Sequence, residues 1–234
     1  PPRSTLFPYT TLFRSPRILA PTLKEEFSSV ESTTSVAQWQ SKQLFTVGDT
    51  RLLKTTGIYT TADFLNIFSF PLIKGNQNTA LNEPASIILT ESFARQLFGD
   101  REAYGETMTL GESGYSFEFK ITGIMADLPA NTDFNFEYLI PFKFLESIGE
   151  NDTFWGNNNL STYVKIKEGA DITTVNEAIR DIKKKNYPKD PNAEVFLYPL
   201  TKMRLYSRFE NGVPAGGRIE VIRMLIILGI CLVV

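Results

Sequence analysis

An uncharged apolar run closes the sequence, and no other segment constrains the fold as strongly. Residues 224–234 read MLIILGICLVV, eleven residues without a charge. As a helix this run rises about 16 Å, roughly half of the ~30 Å hydrocarbon core of a bilayer, so it cannot span a membrane alone. A buried C-terminal helix of a soluble domain would suit that length. The missing polar cap at its end favours instead the start of a truncated transmembrane helix over 218–234, with Cys231 facing lipid or another helix.

The first residues carry a repeat without helical or strand periodicity. Residues 1–16 read PPRSTLFPYTTLFRSP, in which Thr-Leu-Phe occurs at 5–7 and again at 11–13. This string resembles a translated sequencing adapter. Residues 1–15 are therefore predicted to be an artefact foreign to the gene, and fold prediction starts at Pro16. They also lack the apolar stretch of about seven or more residues that a signal peptide needs.

Composition removes several classes of function. The 234 residues include no His and one Cys, which excludes Ser-His-Asp catalysis, Cys-His catalysis, His-ligated zinc and an intramolecular disulfide. The net charge is -2, without a basic stripe, which argues against a nucleic-acid partner. The length and the 42% hydrophobic content suit one domain or two small ones with a packed core.

The last third of the sequence has the clearest secondary-structure pattern. The segment STYVKIKEG alternates as a strand. Residues 171–188 predict one amphipathic helix, opened by a capping box of Thr174 and Glu177 and ended by Pro188. Residues 194–207 predict another strand.

Earlier segments predict helices and strands in alternation. The predicted elements are a helix over 16–30, two or three strands with a hairpin at Gly48 and Asp49 within 36–59, a short helix and a strand within 61–75, a strand and a helix within 84–99, and two strands about a turn at 111–114. In 84–99, the helix should begin after the cap Thr90 and end at Gly99. The predicted class is α+β, with two βαβ-like halves and a mainly β insert between them.

No residue pattern indicates a catalytic, cofactor-binding or metal site. Asp127, Asp133 and Glu137 are close in sequence, but their spacing lacks the alternation and the Gly turn of a calcium loop, so solvated or capping roles are favoured. Ser86 and Ser92 have no His to act as base, and no SxxK motif is present. The glycines form neither a GxGxxG motif nor a phosphate loop.

Two further groups of residues have a structural and a functional interpretation. Lys183, Lys184 and Lys185 would complement a helix C-terminus, with a membrane-surface patch as the alternative. Phenylalanines are dense in two segments and are most simply core residues, with an exposed patch for a partner protein as the alternative. These phenylalanines are Phe64, Phe68, Phe70, Phe134 and Phe136.

Three blocks in a fixed order resemble a known family. They begin TADFLNIFSFPLIKGN, ITGIMADLPANTDFNFEYLIPF and LYSRFENGVPAGGRIE. Together they resemble the extracytoplasmic domain of MacB/FtsX-like ABC transporter permeases, most closely the Bacteroidetes-type group. The resemblance covers 16–234.

The resemblance implies a domain plan and a role. A MacB-like periplasmic core domain would occupy 16–217, with a porter-like part at 16–56 and 160–207 and a Sabre-like insert at 57–159. The second transmembrane helix would begin at 218. Such a permease lies in the inner membrane and passes ATPase-driven movement to periplasmic partners, in efflux or lipoprotein release.

The resemblance also implies partners and the absence of catalysis. The expected partners are a cytoplasmic ABC ATPase, a second permease subunit in a homodimer or heterodimer, and a periplasmic adaptor or lipoprotein. This chain has no Walker motif, so ATP hydrolysis would occur on another subunit or domain. A membrane-anchored extracytoplasmic binding or sensor module is the alternative function.

Overall fold

The computed structural model describes residues 8–10, 15–38, 42–54, 56–112, 114–210 and 213–233. The strands are β1 (Pro8–Thr10), β2 (Val30–Ala37), β3 (Gln43–Val47), β4 (Thr50–Lys54), β5 (Gly57–Thr60), β6 (Leu72–Gly75), β7 (Ser86–Thr90), β8 (Thr107–Glu112), β9 (Tyr115–Met125), β10 (Tyr138–Pro141), β11 (Ser161–Ile166), β12 (Tyr198–Pro199), β13 (Arg208–Glu210) and β14 (Val213–Gly216). The helices are α1 (Leu19–Glu26), α2 (Phe64–Ile67), α3 (Glu91–Phe98), α4 (Phe142–Ser147), α5 (Ile172–Ile179), α6 (Ile182–Asn186), α7 (Leu200–Met203) and α8 (Arg218–Val233).

One sheet of 12 strands runs through the described residues. Its order is β12-β1-β11-β2-β5-β10-β7-β9-β8-β3-β4, and β6 pairs with β9 beside this path. The pairs β5 with β10 and β7 with β9 are parallel, and the other pairs in this sheet are antiparallel. The molecule is therefore a mixed fold of helices and strands built on a large mixed sheet, which agrees with the predicted combination of the two.

Three hydrophobic clusters join helices α1 to α7 to this sheet. The first packs α3 and α4 against the long strands and includes Phe93 and Phe119. The second surrounds Phe64 of α2. The third joins α1, α5 and α6 to β11 and includes Val164 and Ile179. Burial of these apolar faces is the main favourable contribution to folding.

Helix α3 forms as its sequence predicts. Its N-cap is Thr90, whose side-chain oxygen accepts a hydrogen bond from the backbone N–H of Phe93, and Gly99 follows its last residue at φ 64°. Phe93, Leu97 and Phe98 are buried, as their spacing requires of one helix face. The helix predicted in 84–99 is confirmed.

The single helix predicted over 171–188 is two short helices, α5 and α6. The N-cap of α5 is Asp171, whose carboxylate accepts from both the backbone N–H and the hydroxyl of Thr174, each at 2.9 Å. The predicted capping box of Thr174 and Glu177 is therefore wrong, because Asp171 already satisfies the first free backbone N–H groups.

The strand predicted over 194–207 is much shorter than expected. Only Tyr198 and Pro199 form β12, and α7 follows directly. Pro199 has no N–H to extend a strand ladder, and its φ of -59° suits the entry into a helix. The proline thus ends the strand and starts α7.

The hairpin of β3 and β4 lies far along the sheet from β2. It pairs with β8, at Leu44 with Gly111 and Phe45 with Leu110. The predicted porter-like segment 16–56 includes this hairpin, so in the structure part of that segment adjoins strands of 57–159. The division into porter-like and Sabre-like parts stays a prediction.

The two ends of the chain both contain regular structure. Strand β1 pairs with β11 and β12. Such pairing uses backbone hydrogen bonds, which residues of any origin can form. The foreign origin of 1–15 therefore stays a prediction. Helix α8 exposes apolar side chains, among them Leu225 and Ile227. Among the described helices, none has the length and apolar character needed to cross a bilayer.

Candidate functional site

A narrow seam divides the sheet between β2 and β5. Only two residue pairs join these strands, Val36 with Thr60 and Ala37 with Tyr59, whereas six pairs join β2 to β11. We call the strands β12, β1, β11 and β2 the first side of the seam, and the strands from β5 to β4 the second side. Two residue pairs also join β10 to β7 and β1 to β12, so the seam is one of three narrow connections along this path of strands.

Buried hydroxyl groups supplement the backbone pairing at the seam. The Thr34 and Thr60 hydroxyl oxygens are 3.0 Å apart, and the Thr61 hydroxyl donates to that of Thr34 at 2.8 Å. The Thr60 hydroxyl also donates to the backbone carbonyl of Ser35 at 2.8 Å. Thr34 and Thr60 are fully buried, so losing one of these bonds without a new partner would cost about 1–3 kcal/mol.

On the α1 face, ion pairs hold the two sides together. Arg17 donates to Glu146 of α4 at 2.6 Å and also to the carbonyls of Phe142 and Glu150. Lys24 of α1 pairs with Asp63, directly before α2, at 2.6 Å. Both pairs connect residues of 15–38 with residues beyond the seam.

A cavity of about 780 Å³ lies at the seam on the other face. Residues from both sides line it, including Tyr163 of β11 and Phe68 and Phe70 after α2. We call it the aromatic cavity. Its apolar wall consists mainly of Ile67, Phe68, Phe70, Phe134, Tyr163 and Leu200.

The phenylalanines predicted as core form one cluster beside this cavity. Phe64 is fully buried at its centre, with ring centroids of the other four between 5.0 and 5.9 Å away. Phe68 and Phe136 are buried, which confirms the core interpretation, whereas Phe70 and Phe134 are partly exposed where they line the cavity. The cluster supports the cavity wall from behind.

Tyr163 and Asp133 set the electrostatics of the aromatic cavity. Burial, together with a smaller contribution from the charge of Asp133, raises the pKa of Tyr163 to about 12. The Tyr163 hydroxyl therefore stays neutral at physiological pH and can donate a hydrogen bond. Asp133 is exposed on the cavity rim.

The three carboxylates that are close in sequence do not form a cluster. Asp127 accepts from the backbone N–H and hydroxyl of Ser92 in the first turn of α3. Glu137 accepts from Lys54 at 2.7 Å and from Thr56 at 2.5 Å. Asp133 lies apart from Asp127 and Glu137, on the rim of the aromatic cavity. Within the residues that the structure describes, no group of carboxylates or other ligands could hold a metal ion.

The lysines near the end of α6 all have acidic neighbours. Lys183, Lys184 and Lys185 lie 3.4, 4.0 and 3.9 Å from Asp190, Asp181 and Glu26, respectively. Such exposed pairs contribute little stability, and they satisfy the lysines locally. This favours the structural interpretation over a membrane-surface patch.

A short chain of contacts leads from α8 to the aromatic cavity. Glu220 of α8 pairs with Arg208 at 3.3 Å, and the N–H of Ile219 donates to the carbonyl of Leu205 at 3.1 Å. Leu205 follows α7, whose Leu200 packs on the phenylalanine cluster and lines the cavity. Contacts thus connect α8 to the lining of the cavity by way of α7.

Comparison with protein families identifies a single domain type. The family model described as the MacB-like periplasmic core domain matches residues 5–182. No curated protein matches the sequence.

Several solved structures share the fold. A permease-protein domain from Porphyromonas gingivalis is 22% identical, with a TM-score of 0.67 over 83% of this chain and 89% of that one. The periplasmic region of MacB from Actinobacillus actinomycetemcomitans is 15% identical, with a TM-score of 0.61 over 84% and 90%. The extracellular domain of the ABC-type transporter YknZ from Gram-positive bacteria is 14% identical, with a TM-score of 0.55 over 82% and 99%.

Proposed function

The chain belongs to the family of MacB-like periplasmic core domains, and from this membership we propose that it transmits ATPase-driven movement of an ABC transporter permease to periplasmic partners. In such permeases this domain lies in the periplasm. The proposed partners are an ABC ATPase in the cytoplasm, a second permease subunit, and an adaptor or lipoprotein outside the membrane. The proposed process is efflux or lipoprotein release.

The contact path from α8 to the seam is the observation that carries this proposal. In the proposed arrangement α8 continues as the second transmembrane helix and moves with the ATPase. Arg208, Leu205 and Leu200 would pass that displacement to the cavity, where the two sides of the sheet meet. A seam of two residue pairs would let the two sides shift relative to each other.

We further propose that the domain is not catalytic. Within 16–217 the sequence offers no His, and the two serines considered as nucleophiles are otherwise engaged. Ser86 donates to the carbonyl of Glu83 at 2.6 Å, and Ser92 donates to Asp127. The two sides of the seam would then serve as the two moving bodies, with the hairpin of β3 and β4 moving with the second side.

A linker across the seam tests this function. In the full-length permease with its ATPase, Cys231 and any other native cysteine are replaced by Ser, and Lys24→Cys with Asp63→Cys places one thiol on each side. Joining them with a bis-methanethiosulfonate linker should lower the ATP hydrolysis rate by about fivefold or more, because the domain and the ATPase are coupled. A reductant that cleaves the linker should restore the rate.

The control places the same linker within one side. Glu31→Cys and Lys165→Cys replace an ion pair that joins β2 to β11, so this linker spans no seam. The rate should then stay close to that of the unlinked protein. Equal rates for both linked proteins would contradict the proposed function.

A further inference from the structure

The aromatic cavity has the size and lining of a small-molecule site. Its volume of about 780 Å³ falls within the range of about 300–1,000 Å³ that is usual for ligand cavities. Such sites combine apolar walls with a few polar groups that orient the ligand. Here the walls are aromatic, and Gln38, Ser69, Asn131 and Ser161 supply amide and hydroxyl groups around them.

Within the described part of the chain, the lining of the cavity carries negative charge and no positive charge. Asp133 is the one charged side chain among the described residues that line the cavity, and no Lys or Arg is present there. Among the described residues, Asp133 also has no ion-pair partner. Its negative charge is therefore available to a ligand.

The aromatic walls also favour a positively charged ligand. The rings of Phe68 and Tyr163 meet edge to face at 5.0 Å, and those of Phe68 and Phe134 do so at 4.7 Å. Aromatic faces attract organic cations through their quadrupole and bind apolar groups through dispersion. An anion would meet both the ring faces and the carboxylate unfavourably.

We infer that the aromatic cavity binds an organic cation with a bulky apolar body, the apolar part on Phe68, Phe70 and Phe134 and the cationic group beside Asp133. This inference goes beyond the proposed function, since a domain could transmit movement without a ligand here. A ligand in this place would also contact Leu200, at the end of the path that leads to α8.

Two probes of equal shape and opposite charge test the inference. Equilibrium dialysis of the whole chain in a mild non-ionic detergent would compare 2-naphthylmethyltrimethylammonium with 2-naphthylmethanesulfonate. The ammonium probe should bind about fivefold to tenfold more tightly, from the carboxylate and the aromatic faces together. Asp133→Asn should remove most of this preference without lowering the affinity for the sulfonate probe.

Two further variants locate the site. Glu118→Gln removes the same charge from an exposed position on β9 and should leave both affinities unchanged. Phe134→Leu should lower the affinity for the ammonium probe by about threefold or more, because it removes one aromatic face. Equal affinities for the two probes, no binding of either probe, or an Asp133→Asn variant that keeps the preference would overturn the inference. None of these results bears on the linker experiment, so the proposed function would stand or fall separately.

Discussion

Phe64→Ala is expected to lower the free energy of unfolding by about 3–5 kcal/mol, the usual cost of truncating a buried phenylalanine. Phe64 has no exposed surface, and four other phenylalanine rings surround it. Truncation would leave a space that these rings cannot fill without abandoning their edge-to-face contacts. Urea-induced unfolding of the chain, followed by circular dichroism, measures the change.

An exposed aromatic residue provides the matched control for Phe64. Tyr115, at the start of β9, is 71% exposed. Tyr115→Ala should therefore change the free energy of unfolding by less than about 0.5 kcal/mol. Similar losses for the two variants would contradict the placement of Phe64 at the centre of the cluster.

Gly57→Ala is expected to destabilise the protein by about 3 kcal/mol or more, at the upper end of the cost of overpacking a core. A Cβ atom at Gly57 would lie 2.0 Å from two ring atoms of Tyr138, its partner across the parallel pair of β5 and β10. The Tyr138 ring has little freedom to withdraw, because its hydroxyl donates to Gln43 and its ring packs on Phe45.

Another strand glycine distinguishes this clash from a general effect of alanine. At Gly111 in β8, the nearest atoms to an added Cβ are 3.7 Å away, which is ordinary contact. Gly111→Ala should stay within about 1 kcal/mol of the wild type, since it also restricts the unfolded chain. The same urea titration compares the two variants. A Gly57→Ala protein as stable as Gly111→Ala would show that the Tyr138 ring moves freely.

Features set by neighbouring residues were predictable from the sequence. The cap at Thr90, the stop at Gly99 and the hairpin turn at Gly48 depend on residues a few positions apart, and the structure has each of them. The prediction over 171–188 missed the break between α5 and α6 at Arg180 and Asp181. It also missed the cap at Asp171, three residues before Thr174, whose carboxylate accepts from the Thr174 N–H.

The seam could not be predicted, because its bonds join distant residues. Ser32 to Ser35 reads as a polar run, typical of an exposed strand edge, yet Thr33, Thr34 and Ser35 are buried. Thr34 is bonded to Thr60, which lies 26 positions later, and the Thr33 hydroxyl donates to the carbonyl of Ala20 in α1. The phenylalanines were predicted as core, but only the fold shows that Phe70 and Phe134 share a cavity with Tyr163 and Leu200.

The distance across the seam during the ATPase cycle tests the central claim most directly. Spin labels at Glu118→Cys and Lys167→Cys would report on the two sides of the sheet, in the full-length permease with its ATPase and with Cys231 and any other native cysteine replaced by Ser. A second pair, at Glu118→Cys and Arg51→Cys, lies on one side. Pulsed electron spin resonance should show the first distance shift by several ångströms between the nucleotide-free and ATP-bound states, while the second stays constant. Superimposable distributions for the first pair in both states would contradict transmission of movement through this domain.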